Sequence, residues 1–292
     1  MIISNDTIDG PNVRKELHHE IYKVFIVNNV RSYDNPRFDV WNIDAPDGDI
    51  HSSGDTFLVI DTIYNEAFGH WVFECGIYLE LFKILKSVYP NIKLKLKVRR
   101  IFKILFCKLF DIFEGDIVYE LPPSNTCIFP SPISLQNDKT VHPEFRLQLE
   151  RLFKYIGQIQ TEPHEDISYL LMPRQTKENY ASNDRKVPFN DIFTYFSDRP
   201  HINSKILHTD TVVDMKEQIR MVRSAKNIIL TSGAAHTVNG LFSQNSNILV
   251  LGDLSFQSLE YPKVSMINQF IESINSTKLI ICSNNNAVLK YL

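Results

Sequence analysis

The chain has 292 residues, of which 43% are hydrophobic and 22% charged, so it is globular in composition and can build a sizeable core. Its length suits two α/β domains of roughly 130 to 150 residues each, or one large domain. A formal net charge of −3 argues against a broad nucleic-acid surface, whereas a small anionic ligand needs only a local pocket.

Residues Met1 to Asp6 lack the basic-then-apolar pattern of a secretory signal, and no window holds the ~18 apolar residues of a membrane span. The expectation is a cytoplasmic protein. Cys75, Cys107, Cys127 and Cys282 lie far apart and read as reduced core thiols rather than zinc ligands.

Residues 1 to 55 are rich in Asn, Asp and Pro, with one strand expected at Ile21 to Asn28 and turns at Asn35-Pro36 and Asp47-Gly48. A buried strand follows at Thr56 to Ile60. A helix is predicted from His70 to Ser87, with Trp71, Cys75, Tyr78, Leu79, Phe82 and Leu85 on one apolar face. The alternation Ile-Lys-Leu-Lys-Leu-Lys-Val over Ile92 to Val98 predicts a strand whose Lys93, Lys95 and Lys97 face water. A helix at Ile101 to Phe113, strands at Asp116 to Leu121 and Cys127 to Ile133, and a helix at Pro143 to Tyr155 complete the first half.

Gln158 to Asp166, flanked by Gly157 and containing Pro163, reads as a linker, which puts the domains at 1–157 and 158–292. Beyond it strands are expected at Ser168 to Met172, Ser204 to His208, Asn227 to Leu230, Ile248 to Leu251 and Leu279 to Cys282. Helices are expected at Phe189 to Phe196, Asp214 to Ala225 and Ala235 to Phe242, with another ending near Phe270 to Ile274, before a polar Asn-rich tail. Strand and helix alternate in both halves, which is the signature of parallel sheets covered by helices.

Three stretches carry candidate chemistry. In Asn227 to Phe242 an apolar strand runs through Ser232, Gly233, Ala234 and Ala235 into a helix; the small residues admit a ligand, and the N–H groups at the helix start favour an anion. The plainer alternative is that Ser232 caps the helix while the alanines let it pack closely. Next, Arg174 leaves the end of the Ser168 strand, and Arg185 and Lys186 follow a polar loop; such cations can grip a diphosphate, although surface loops carry them routinely. Third, Asp61, Glu66, His70 and Glu74 crowd a strand-to-helix junction. His70 and Glu74, four apart, share a helix face, where a His or carboxylate can act as general base or simply complement the helix start.

Together these residues resemble glycosyltransferase family 61, a group that includes capsular-polysaccharide and plant xylan enzymes and N-acetylglucosaminyltransferases. The resemblance rests on Phe68-Gly-His-Trp-Val-Phe-Glu74, Leu170-Leu-Met-Pro-Arg174 with Arg185, Glu217-Gln-Ile219 with Ser224-Ala225, and Ser232-Gly-Ala-Ala235 with Asn239 and Phe242. It implies a GT-B-like α/β fold, with two Rossmann-like domains facing across a cleft. It also implies an N-terminal acceptor side, a C-terminal donor side and inversion at the anomeric carbon. The family has His-Gly-Ala where this chain has Ser232-Gly233-Ala234, and the spacing to Asn239 is one residue longer.

On this reading a nucleotide sugar, with UDP as the expected carrier, is the co-substrate and a glycan or glycoconjugate hydroxyl is the acceptor. His70 is the first candidate base and Asp61 the second, with Glu74 beside them. Arg174, Arg185, Lys186 and the backbone from Gly233 through Ala234 and Ala235 to His236 face the diphosphate, and Glu217 contacts the ribose or caps its helix. No metal is expected; Asp47-Gly-Asp49 has the DxD form but reads as a turn, and the nine His residues show no metal spacing. The basic run Lys93, Lys95, Lys97, Arg99, Arg100, Lys103 and Lys108 offers weak contact with an anionic membrane or, more simply, a solvated face. Alternatives from other classes are a non-catalytic sugar- or nucleotide-binding module and a structural α/β protein.

Overall fold

A computed structural model describes residues 2–4, 15–18, 23–28, 55–60, 68–130, 143–162, 166–173, 189–209, 214–252 and 262–292. The chain divides into two compact units, Met1–Leu135 and Gln136–Leu292. Each contains a sheet with helices, so the α/β class holds for both.

The first unit is built on strands β1 (Ile2–Ser4), β2 (Lys15–His18), β3 (Lys23–Asn28), β4 (Asp55–Val59), β5 (Lys93–Lys95), β6 (Ile117–Val118) and β7 (Asn125–Pro130), in the order β1-β2-β3-β7-β4-β5-β6. β7, β4, β5 and β6 run parallel, and β3, β2 and β1 extend the sheet antiparallel beyond β7. The sheet is therefore mixed rather than wholly parallel.

The helix expected over His70 to Ser87 is broken. Helix α1 (Phe68–Glu74) stops at Cys75, a 3-10 turn covers Gly76–Tyr78, and α2 (Leu79–Val88) resumes. Gly76 favours the break, because it is a poor helix former and a Cβ there would stand 3.1 Å from Phe106 Cε1. That close approach seats α3 (Ile101–Lys108) against α1, with Trp71 edge-on to Phe106 at 5.9 Å. Trp71 and Phe106 are both fully buried, so the apolar face read from helical spacing is the core.

Two lysines of the basic run do not face water. Lys95 is buried and donates to the carbonyls of Leu96 and Tyr119, and Lys103 is buried with its ammonium 5.8 Å from the centre of the Trp71 ring. β5 ends at Lys95, three residues before the alternating pattern does, and this lets the Lys95 ammonium turn onto backbone oxygens instead of solvent.

The second unit holds β8 (Ile167–Met172), β9 (Ser204–Ile206), β10 (Ala225–Thr231), β11 (Asn247–Leu251) and β12 (Lys278–Cys282), all parallel. Their order is β12-β11-β10-β8-β9. Helices α6 (Met215–Ser224), α7 (Ala234–Phe242) and α8 (Pro262–Ser273) pack in sequence along one face, and α4 (Pro143–Gln158) lies on α7 and α8. α5 (Asn190–Ser197) and α9 (Asn285–Leu289) meet on the other face, over Leu171, Ile229, Leu249, Leu251 and Cys282. Ile228, Ile229 and Leu230 are all fully buried, as a central strand covered on both sides requires.

α6 shows the local logic. Asp214 accepts from the Lys216 N–H to cap it, and Met215, Gln218, Ile219 and Val222 form the buried stripe. Three expectations change. The division falls after Leu135 rather than at 157/158, because α4 packs within the second unit. The stretch read as a linker is held to that unit, since Arg223 donates to the carbonyls of Ile156 and Ile159. The Asn-rich tail is helical over α9, where Asn284 caps by accepting from the Ala287 N–H. All four cysteines are buried and none forms a disulfide.

Candidate functional site

The order of the second sheet reverses between β8 and β10. β8 leads to β9 on one side, and β10, β11 and β12 then run outward on the other. In such sheets the crevice at the carboxyl ends of the two strands flanking the reversal is where ligands enter. The register pairs Met172 with Leu230 and Leu251 with Thr231, so the Ser232–Gly233 turn leaves the sheet at that reversal, beside the end of β8. Two of the three stretches chosen from sequence thus originate at one sheet edge. Arg174, Arg185 and Lys186 themselves lie outside the described residues, as do Asp61, Glu66 and Asp47 to Asp49.

The turn is tightly specified. Ser232 donates its N–H to the Leu251 carbonyl at 2.7 Å, and Gly233 adopts φ 98°, a left-handed value open to glycine and strained for other residues. Gly252 approaches from the end of β11; a Cβ there would lie 2.2 Å from Ser232 Oγ. The Ser232 hydroxyl therefore occupies space that exists only because position 252 is glycine.

His236 completes the turn from inside. Its Nδ1 accepts the Gly233 N–H at 3.0 Å, so Nε2 carries the ring proton and donates to Asn268 Oδ1 on α8 at 3.1 Å. Burial pushes the imidazole down to about 4, outweighing both hydrogen bonds, and keeps it neutral. It does the work that Glu or Gln usually does at the third helical position, returning to satisfy the N-cap donor.

This changes what the turn can offer. Of the N–H groups expected to face an anion, that of Gly233 is consumed by His236. The donors left at the accessible start of α7 are those of Ala234 and Ala235, its first two positions, which an α-helix does not engage internally, whereas His236 is buried. Ala234 is exposed and Ala235 half-buried, so the backbone there is open to approach.

Other residues of the expected donor site have partners within the fold. Asn239 is buried; it accepts from Gln218 Nε2 at 2.7 Å and donates to the Ala235 carbonyl at 2.7 Å, which bolts α6 to α7. Each end of its amide thus has a partner within the fold. Glu217 pairs with Arg220 through two hydrogen bonds of 2.6 Å, and the capping role at this helix belongs to Asp214. Sequence reading missed Gln218, Gly252 and Asn268, whose roles depend on partners 20 to 32 positions away. Thr231 Oγ1, at the end of β10, is buried without a hydrogen-bond partner.

In the first unit the order of the parallel strands reverses between β4 and β7, with Leu58 level with Ile128. The chain leaving β4 leads into α1, so the third candidate stretch also begins at a reversal. His70 Nδ1 is 3.0 Å from Glu74 Oε1; the imidazole side chain is 55% exposed and the carboxylate 8%. A solvent-facing imidazole oriented by a buried carboxylate is an arrangement suited to taking a proton from a bound hydroxyl.

No protein-family model matches the chain, and no curated protein is significantly similar to it. Among the described residues, no group of three or more His, Cys, Asp or Glu side chains could hold a metal ion. No helix among them is long and apolar enough to cross a membrane.

Proposed function

We propose that the chain is an inverting glycosyltransferase, with a nucleoside-diphosphate sugar, UDP-linked in the first instance, as donor and a glycan hydroxyl as acceptor. The observation that carries the reading is the turn at Gly233, where open N–H groups begin a helix at the strand-order reversal of an all-parallel sheet. The second unit takes the donor diphosphate there. The first supplies the base, in a GT-B-like pairing of the two.

In the reaction, the acceptor oxygen forms its bond to the anomeric carbon as the bond from that carbon to the phosphate oxygen breaks. The acceptor proton passes to His70, or to Asp61 if His70 serves only to orient it. The electron pair departs on the diphosphate, and its charge is met by the N–H groups of Ala234 and Ala235, with Arg174, Arg185 and Lys186 as the proposed cationic partners. His70 takes the base role because its imidazole reaches solvent and Glu74 fixes its orientation.

A second reading is favoured by one finding: the α7 side chains His236, Thr237 and Asn239 each hydrogen-bond within the fold, so what this helix start offers a ligand is backbone. A nucleotide-binding module would need no more. Release of free UDP, GDP or CDP from the corresponding sugar nucleotides with varied sugar acceptors separates the two. Acceptor-dependent release that is lost in His70→Ala or Asp61→Ala, with donor binding retained, supports transfer. Binding with no release in any combination leaves the module, and no binding removes both.

A further inference from the structure

The segment from Lys83 to Asp116 carries nine cations against three carboxylates, in a chain whose formal net charge is −3. The rest of the protein is therefore acidic and this segment a concentrated basic zone. A basic run by itself is ordinarily a solvated face. Here the outermost side chains in the zone are not all polar: Ile101 is 68% exposed and Phe113 57% exposed.

These two are not scattered exposures. Arg99, two residues before Ile101, forms an ion pair with Glu114, which directly follows Phe113, so the start of α3 and the turn after it are drawn together. Lys93 donates to the Gly115 carbonyl at 2.7 Å, bringing another cation to the Phe113 side. Phe113 is fixed as well as exposed, since its N–H donates to Asp116 Oδ2 and its carbonyl accepts from the Asp116 N–H at 2.8 Å. Arg100, adjacent to Ile101, and Lys97 are exposed. Two exposed apolar side chains thus lie in one segment with Lys93, Lys97, Arg99 and Arg100.

We infer that this surface docks peripherally on an anionic lipid bilayer. Ile101 and Phe113 enter the boundary between headgroups and acyl chains, and the neighbouring cations meet the lipid phosphates. The chemistry argues for lipid over water, because exposing Ile and Phe at fixed positions brings no gain in solvent. It argues for lipid over an apolar protein groove because the segment that exposes these two side chains carries nine cations against three carboxylates. The inference stands apart from the glycosyltransferase reading and does not depend on it.

Flotation of the full chain with vesicles tests it, using phosphatidylcholine alone and phosphatidylcholine mixed with phosphatidylglycerol. The wild-type chain is expected to float with the mixed vesicles only and to be released by salt. Ile101→Ser with Phe113→Ser, and separately Lys97→Glu with Arg100→Glu, should each weaken binding by roughly tenfold or more. All four positions are exposed, and a cooperative thermal unfolding transition in each variant checks that folding is intact. Failure of the wild type to bind mixed vesicles overturns the proposal. So does wild-type binding by the Ser double variant. A dimer that dissociates in the Ser variant, with no lipid binding, assigns the patch to a second copy of the chain and also overturns it.

Discussion

The Gly233 N–H donates to His236 Nδ1 at 3.0 Å, so the imidazole braces from inside the turn that begins α7. Replacing His236 with Phe keeps the ring volume but strands the Gly233 N–H and the Asn268 amide oxygen. The expected cost is about 2 to 4 kcal/mol of unfolding free energy in urea titrations.

The same residue sets a pH dependence. His236 stays neutral in the fold down to about pH 4, whereas in the unfolded chain it protonates near 6.5. Between these values the unfolded state binds the extra proton. The stability His236 contributes is therefore complete above pH 6.5 and lost as pH falls toward 4, at about 1.4 kcal/mol per pH unit at most. Wild type should lose more stability between pH 6.5 and 5 than His236→Phe does; parallel losses would show that another group titrates.

Asn239 tests whether the α6–α7 bolt is structural. Asn239→Ala strands the buried Gln218 amide and should cost about 1 to 3 kcal/mol. Because both Asn239 polar groups are engaged within the fold, the folded variant should bind UDP with wild-type affinity by calorimetric titration. Lost affinity at wild-type stability would make Asn239 a ligand contact after all.

Packing of α7 on α8 can be probed at Gly240. A Cβ there would stand 2.2 Å from Ile271 Cδ1 and 2.8 Å from its Cγ1, against a fully buried side chain. Gly240→Ala should cost about 1 to 3 kcal/mol. Adding Ile271→Val, which removes Cδ1, should recover part of it. Additive losses in the double variant would mean that the strain lies elsewhere.

Much of this was legible in the sequence because it follows from local periodicity. The runs Ser168 to Met172, Asn227 to Leu230 and Ile248 to Leu251 name three strands of the second sheet, and the small residues at 232 to 235 mark the turn. Strand order was not legible, since nothing in a strand's own residues says which neighbour it takes. For the same reason the antiparallel β1–β3 extension and the membership of α4 in the second unit emerged only from pairing and packing. Lys95 misled because alternation reports the two faces of a strand, not whether a covering layer lies over one of them, and Lys103 because a cation on a helix says nothing of the Trp71 ring that packs beside it. The internal bonds of His236 and Asn239 were not legible because a polar side chain near a turn looks alike whether it serves a ligand or the helix, and the partners Asn268 and Gln218 lie far away in sequence.

In the first unit, His70→Ala should leave the unfolding midpoint close to wild type, because the imidazole is more than half exposed. Acceptor-dependent turnover should fall by roughly 10² to 10⁴ if His70 is the base. Glu74→Gln keeps a hydrogen-bonding partner of the same size and should retain more turnover than His70→Ala. Single-turnover kinetics on both variants check this ordering, and equal losses would mean that Glu74 is itself the proton acceptor.

The central claim is that the open N–H groups beginning α7 hold a nucleotide diphosphate. Ala234 is exposed at the first helical position, so Ala234→Asp places a carboxylate on those groups. That charge favours the helix start by about 0.3 to 1 kcal/mol while repelling a phosphate. The decisive measurement is the thermal unfolding midpoint of wild type and Ala234→Asp, with and without UDP. The account predicts a UDP-dependent rise in wild type, and in the variant an unligated midpoint no lower than wild type with no response to UDP. A wild type indifferent to UDP, or a variant stabilised by UDP as strongly as wild type, would contradict it.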